Sequence, residues 1–429
     1  MYIFQEIDVP SIKLEKVVVL ITAGGQGLRL WPLSTLEKPK QFCCLLSEKT
    51  MLQITLDRVK NLVPLERIFI VTCADQVKFV KQQIPKLQAE NIIVEPESRD
   101  NAPAIGYAAV YIERKISDAT MVVLASDQYI SPIEQFESSL LKAIEVAQNG
   151  NYFVSVGIKP TAPSTEYGYM KCGRQMQFGA TVYAGIQYIE KPDLDTAESF
   201  LNAKNYIWNT NIFVWQISHL LDAFKIYQLE SYKVLKKIQT HLEYITPQEL
   251  SVFYRQLDKI SIDFAILEKI KVGDFYSHAF VIGEFEWSDV GNYSELAKQL
   301  EVNKFGDRCK GLIHKEHTEN CLLIAETPYK LHVKGISNLT VVINAQGDIL
   351  VSLTSSVKKL KNLLQVTNMN HFSSENKNPN GDTLPRTAKI INSRNIIFDS
   401  DHQNMICALD VENLSVKIRH ENVYVYGKQ

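Results

Sequence analysis

Gly24, Gly25 and Gly27, followed by Arg29 and Lys40, are the residues of this chain whose types and spacing most directly suggest chemistry. Glycines leave a loop without side chains, so its backbone N–H groups can close around a phosphate, and the two cations add positive charge. This is the outline of a polyphosphate site. The generic labels for such loops do not apply. A Walker loop needs Gly-Lys-Ser/Thr after its second glycine, whereas Gly27 is followed by Leu28 and Arg29. A dinucleotide fingerprint needs a third glycine where Leu30 stands, and the expected acid about 20 residues on is not clearly placed. A glycine turn after a strand can also be structural punctuation. The continuation to Pro39-Lys40-Gln41-Phe42 sets this one apart.

The elements that must position these residues begin with Val17–Thr22, a continuous apolar, β-branched run that predicts a strand buried on both faces. Helical and strand patterns then alternate: Met51–Asn61, Arg67–Val71, Gln76–Leu87, Asn91–Val94, the apolar helix Ala102–Lys115 and the strand Met121–Ala125. Alternation of this kind predicts an α/β fold with a mostly parallel sheet, whose ligands bind beyond the carboxyl ends of the strands. Asp127, closing MVVLASD, is at such an end; alone it reads equally as a turn former or helix cap. Glu190-Lys191-Pro192, seen alone, reads as an exposed turn.

The stretch AGGQGLRLWPLS…PKQF resembles the nucleotide-binding signature of sugar-1-phosphate nucleotidyltransferases, in the form found in bacterial mannose-1-phosphate guanylyltransferases. Leu28 stands where that family more often has Thr or Ser. The resemblance implies a Rossmann-like nucleotide-diphospho-sugar transferase domain. In it the loop opened by Ala23, Gly24, Gly25 and Gly27 wraps a nucleoside triphosphate, with Arg29 and Lys40 on its phosphates. ASD resembles the family's Pro-Ala-Asp-His, which makes Asp127 a magnesium ligand; a hard dication needs carboxylate oxygen there. Gln128 replaces the His. ESRDNAPA resembles a segment near purine and ribose, implicating Arg99 and Asp100, with Asp100 and Asn101 in place of Asn-Thr. A carboxylate can accept from the N1–H and 2-amino edge of guanine.

GIKPTAPSTEYGY resembles the family's sugar-proximal loop, with Gly168 allowing close approach of the backbone. YIEKP resembles Phe-Val-Glu-Lys-Pro, so Glu190 is expected on sugar hydroxyls and Lys191 on the sugar phosphate. YIWNTNIFVW resembles Trp-Asn-Ser-Gly-Met-Phe, giving Asn209 a sugar contact; Asn211 stands for Gly and can tolerate its left-handed backbone. SIDFAILEK and EWSDVGNY complete the match, with Asp289 as the second metal carboxylate. The implied cofactor is Mg2+.

Composition narrows the remaining choices. A 45% hydrophobic, 22% charged chain of 429 residues suggests two or three globular domains. A net charge of −2 gives no electrostatic reason to expect a nucleic acid or membrane partner. The seven cysteines show no CxxC spacing, which favours a reducing cytoplasmic setting over a disulfide or zinc framework. The first residues lack a signal-peptide pattern, and no run approaches the roughly 18 apolar residues of a membrane span.

Beyond residue 305 the chain contains an internal repeat. Asn320–Val351 aligns with Asn395–Tyr426 at a constant offset of 75 (395 − 320, 418 − 343), most clearly as GISNLTV against DVENLSV. Such copies stack because neither can bury its face alone. The first copy, with its tail SSVKKLKNLL, resembles a short β-helical end; the second is expected to stack on it within the chain. The expected organisation is an N-terminal extension (1–15), a nucleotidyltransferase domain (16–300), a first β-helix-like repeat (301–365), a polar linker (366–390) and a second repeat (391–429). His371, His402 and His420 are too isolated for the zinc site of an appended isomerase.

The resulting expectation is an enzyme that joins GTP and mannose 1-phosphate into GDP-mannose and pyrophosphate, acting as a homodimer. Three alternatives remain: another sugar 1-phosphate or NTP, a sugar-nucleotide-binding regulatory homologue, and a β-repeat interaction protein.

Overall fold

A computed structural model describes residues 12–25, 27–357, 360, 388–391, 393–400 and 406–427. The start of the expected N-terminal extension, the helical tail of the first repeat after residue 360, the linker to residue 387, and His371 and His402 lie outside them. The chain forms two compact units, Met1–Gly24 with Leu52–Asp289, and Gly25–Met51 with Val290–Gln429.

The first unit contains β1 (Val17–Thr22), β2 (Ile68–Cys73), β3 (Ile92–Glu95), β4 (Thr120–Ala125), β5 (Tyr129–Ser131), β6 (Tyr152–Ile158), β7 (Tyr169–Gln175), β8 (Val182–Ile189), β9 (Tyr206–Gln216), β10 (Ser277–Ile282) and β11 (Glu286–Ser288). Nine of them make one sheet in the order β3-β2-β1-β4-β9-β6-β10-β8-β7. Its first four strands are parallel, as the alternation predicts. The rest is mixed: β9 runs antiparallel to both β4 and β6, β6 and β10 are parallel, and β8 is antiparallel to its neighbours. Seven of the nine strands thus run in one direction, as a mostly parallel sheet requires, and β8 and β9 run against them. Val17, Val18, Val19, Leu20 and Ile21 are fully buried, as a central strand covered on both faces requires. The helix Asn101–Lys115 buries Ala102–Val110 and Ile112, and the helices Ile217–Tyr227 and Leu229–His241 pack into the same core. β5 and β11 form a separate two-stranded ladder.

The second unit carries the repeats as β12 (Arg308–Lys310), β13 (Leu312–Glu319), β14 (Leu322–Ala325), β15 (Lys330–Ser337), β16 (Leu339–Ile343), β17 (Ile349–Leu353), β18 (Ala388–Ile391), β19 (Arg394–Ser400), β20 (Ile406–Leu409), β21 (Glu412–Arg419) and β22 (Asn422–Gly427). They form two sheets, β12-β14-β16-β17-β20-β18 and β13-β15-β22-β21-β19. Apart from β12, whose Arg308 pairs with Leu322, parallel partners within each copy lie 18 residues apart in the chain: Leu312↔Lys330 and Leu322↔Thr340, then Ala388↔Ile406 and Arg394↔Glu412. Each copy ends in an antiparallel hairpin, in which Ile343↔Ile349 of the first corresponds to Ile418↔Val423 of the second. The second turn is thus one residue shorter, and beyond it the copies correspond at 74 residues rather than the 75 of the ungapped alignment. The core between the sheets draws on both copies, including Leu323, Val341 and Val351 with Val416, Ile418, Val423 and Val425.

Candidate active site

The glycine loop belongs to the second unit from Gly25 onward, where neighbours within that unit hold it. Gly27 has φ of +60°, and a Cβ there would lie 2.4 Å from Lys40 Cβ and 3.1 Å from Lys40 N. Only glycine lets the loop lie flat on the Pro39–Phe42 segment. Ser34 Oγ donates to the Gly27 carbonyl at 2.5 Å, and Gln41 Nε2 to that of Gly25 at 2.9 Å. Lys40 opens a 3-10 turn and is buried; Arg29 lies in the turn Leu28–Leu30, half-buried. Tyr293 Oη donates to the carbonyls of Leu30 and Trp31 at 2.9 and 3.0 Å, fixing the segment that carries Arg29.

The expected metal carboxylates belong to the first unit. Asp127 precedes β5 and Asp289 follows β11, and Tyr129 pairs with Ser288, so both stand at one end of the same antiparallel ladder. Tyr167 Oη donates to Asp289 Oδ1 at 3.3 Å, and its ring packs edge-on between Trp208 and Trp287, each 5.1 Å away. Gln128, between Asp127 and β5, is buried: Nε2 donates to Thr210 O at 2.7 Å, and its main-chain carbonyl accepts from Arg58 Nη2 at 2.8 Å. Among the described residues no cluster of three or more His, Cys, Asp or Glu forms a metal cage. Two carboxylates still suit magnesium, which commonly takes one or two and completes its shell with phosphate oxygens and water.

Gly168, Glu190, Lys191 and Asn209 converge. β9 bulges between its pairings Val156↔Ile212 and Gly157↔Asn209, which turns Thr210 and Asn211 out of the ladder. Thr210 Oγ1 caps Val156 O at 2.6 Å, and Asn211 takes φ of +56°, the left-handed backbone expected of a Gly replacement. Asn209 is thereby held: its N–H donates to Gly168 O at 2.8 Å, and its Oδ1 accepts from Asn211 N at 2.9 Å. A Cβ on Gly168 would lie 2.5 Å from Glu190 Oε2. Lys191 Nζ sits 2.5 Å from Glu190 Oε1, and the lysine side chain is 57% exposed, within reach of an incoming anion.

In the segment read as purine-proximal, Asp100 caps the helix Asn101–Lys115, accepting from Asn101 N at 2.7 Å with φ of +68°. Arg99 donates to Leu257 O at 2.8 Å and to Glu97 Oε1 at 2.7 Å.

The sequence profile of the family described as Nucleotidyl transferase matches residues 18–303. The chain belongs to the nucleotidyl transferase family. It is 34% identical over 362 residues to mannose-1-phosphate guanylyltransferase of Salmonella montevideo, covering 81% of this chain and 73% of that protein. A mannose-1-phosphate guanylyltransferase of Escherichia coli is 34% identical over 361 residues, covering 81% and 75%. A crystal structure described as mannose-1-phosphate geranyltransferase from Thermus thermophilus superposes with a TM-score of 0.72 at 28% identity, covering 82% of this chain and 99% of that one.

In this nucleotidyl transferase three further carboxylates bear on the candidate site, and none of the site residues named from the motifs above is among them. Asp263 is buried, accepts from Asn209 Nδ2 at 3.2 Å, and has its pKa lifted to about 7 by burial and then by the charge of Glu190. Glu268 Oε1 accepts the Glu190 N–H at 3.0 Å. Both lie in SIDFAILEK, where acids amid apolar residues were the available signal. Glu95 closes β3; burial raises its pKa to about 7 against the lowering effect of the Tyr254 hydroxyl, which donates to it. Its Oε1 lies 3.1 Å from where a Cβ on Gly24 would sit, so it lines the start of the glycine loop.

Proposed function

We propose that this nucleotidyl transferase moves a guanylyl group from GTP to α-D-mannose 1-phosphate, giving GDP-mannose and pyrophosphate. The observation that carries this reading is 34% identity over four fifths of the chain to curated mannose-1-phosphate guanylyltransferases. An oxygen of the sugar phosphate attacks the α-phosphorus in line; the new P–O bond forms as the bond to the β-phosphate breaks, and the electron pair leaves with pyrophosphate. No protein nucleophile or base is required, because a phosphate monoester is already an anion. Positioning and charge do the catalysis.

Arg29 and Lys40, with the backbone of Ala23, Gly24, Gly25 and Gly27, bind the triphosphate and stabilise the departing charge. Glu190 and Asn209 orient the sugar hydroxyls, Gly168 lets the sugar approach, and Lys191 neutralises its phosphate. Asp127 and Asp289 would hold Mg2+, which supplies positive charge to the phosphates. Arg99 and Asp100 belong to the purine side of the reading, and Glu95 joins them as an acceptor for the guanine N1–H and 2-amino group.

The 18-residue spacing of parallel partners supports reading the C-terminal strands as a short β-helix. The reading also takes the enzyme as a cytoplasmic homodimer. No helix among the described residues is long and apolar enough to cross a membrane. A panel of four NTPs against mannose, glucose, galactose and fucose 1-phosphates, read by pyrophosphate release, tests the specificity. GTP with mannose 1-phosphate should give the highest kcat/KM, and a preference for another pair would replace the substrates named here.

A further inference from the structure

Guanylyl transfer makes no use of the second β-copy, yet that copy pairs with the first in a specific way. β22 lies parallel to β15 through Leu331↔Val423 and Val333↔Val425, and β20 lies parallel to β17 through Ile349↔Ile406 and Val351↔Ala408. β20 is the counterpart of β15 at an offset of 75, and β22 the counterpart of β17 at 74. Exchanging counterparts turns Leu331↔Val423 into Ile406↔Ile349, and Val333↔Val425 into Ala408↔Val351. Those are the other two pairs observed. The sheets obey the same exchange: β14-β16-β17-β20-β18 becomes β19-β21-β22-β15-β13, which is the other sheet read backwards. One contact is made twice with the roles reversed, the signature of a two-fold interface between like subunits, here closed within one chain.

We propose that the β15 and β17 edges of the first copy are a self-complementary pairing surface, that the second copy fills it in place of the first copy of another chain, and that undocking the second copy makes two chains pair through these edges. An uncovered strand edge is a template for pairing because its N–H and C=O groups lack partners. In the self-paired arrangement the same registers set Leu331 opposite Ile349 and Val333 opposite Val351, all four apolar and at most 3% exposed. The outer face explains why the chain's own second copy wins. The His332 ring stacks on Tyr424 at 4.7 Å and on His314 at 4.9 Å, and His332 Nε2 lies 3.1 Å from Asn422 Oδ1. A second chain would offer Leu350 in place of Tyr424. Tethering adds a high effective concentration, since the 27 residues from 361 to 387 can span up to ~90 Å at ~3.3 Å each.

The test uses the full chain with Val423→Asp and Val425→Asp, which sets two charges among buried apolar partners. Light-scattering mass is measured from 1 to 100 μM for this variant and the wild type. The variant should reach twice the wild-type mass in that range, keep its guanylyltransferase activity, and return to the wild-type mass when a peptide of residues 386–429 is added in excess. Wild-type mass at every concentration, or an aggregate that the peptide leaves unchanged, would overturn the proposal. Pyrophosphate release without change of mass would leave the functional reading standing while this one fails.

Discussion

Asp263 lies buried against Asn209 without being placed to touch substrate, so its expected effect runs through the asparagine's orientation. Asp263→Ala removes the acceptor and should raise the KM for mannose 1-phosphate by about 10-fold or more, a hydrogen bond to a charged group being worth ~1.5–3 kcal/mol. Asp263→Asn keeps a carbonyl acceptor and should recover most of that loss. Stability should respond differently. The folded pKa of about 7 lies above the ordinary aspartate value of 3.8, so the stability that Asp263 contributes is fully present below that lower value and is lost as pH rises through 7. Asp263→Asn should therefore melt higher than the wild type at pH 8 and lose this advantage at pH 5; an equal difference at both would contradict the assignment. Glu95 gives a second pH signature. Its carboxyl also titrates near 7, and guanine donors prefer the ionised form, so the KM for GTP should fall between pH 6 and pH 8. Glu95→Gln should weaken GTP use and flatten that profile, and a wild-type slope retained by the variant would remove Glu95 from the base site.

At the scale of elements, the β7–β9 corner makes a close demand on residue size beside the sugar-side residues. Gly168→Ala places a methyl 2.5 Å from Glu190 Oε2, so Glu190 must move. The expected result is about a 10-fold loss in kcat/KM, concentrated in the KM for the sugar phosphate, with GTP binding unchanged; equal damage to both substrates would mean that the corner serves more than the sugar. Much of this level was legible in the sequence. The run Val17–Thr22 became β1 with those bounds, because a strand buried on both faces is apolar throughout. The left-handed Asn211 followed from its place in the motif. The reversal of β8 and β9 did not follow, since alternation orders strands and helices along the chain but does not give the direction in which distant strands meet. Gln128 likewise looked like a bare loss of His. Its partners, Arg58 and Thr210, lie 70 and 82 residues away, and no local pattern announces such a bond. Glu95, Asp263 and Glu268 escaped for the same reason, being acids inside apolar stretches whose value depends on what packs against them.

At the scale of the whole molecule, a chain with net charge −2 binds two polyanionic substrates, so the positive charge that catalysis needs must be local. Arg29, Lys40 and Lys191, with the Mg2+ that Asp127 and Asp289 would hold, are proposed for that task. The most direct measurement is phosphorus NMR of the purified chain with GTP, mannose 1-phosphate and Mg2+, comparing the wild type with Asp127→Asn. The wild type should give GDP-mannose and pyrophosphate in equal amounts. The variant should turn over at least ~100-fold more slowly, because the carboxylate proposed to hold Mg2+ becomes a neutral amide. A wild-type chain that binds both substrates and forms neither product would contradict guanylyl transfer and identify a sugar-nucleotide-binding homologue instead.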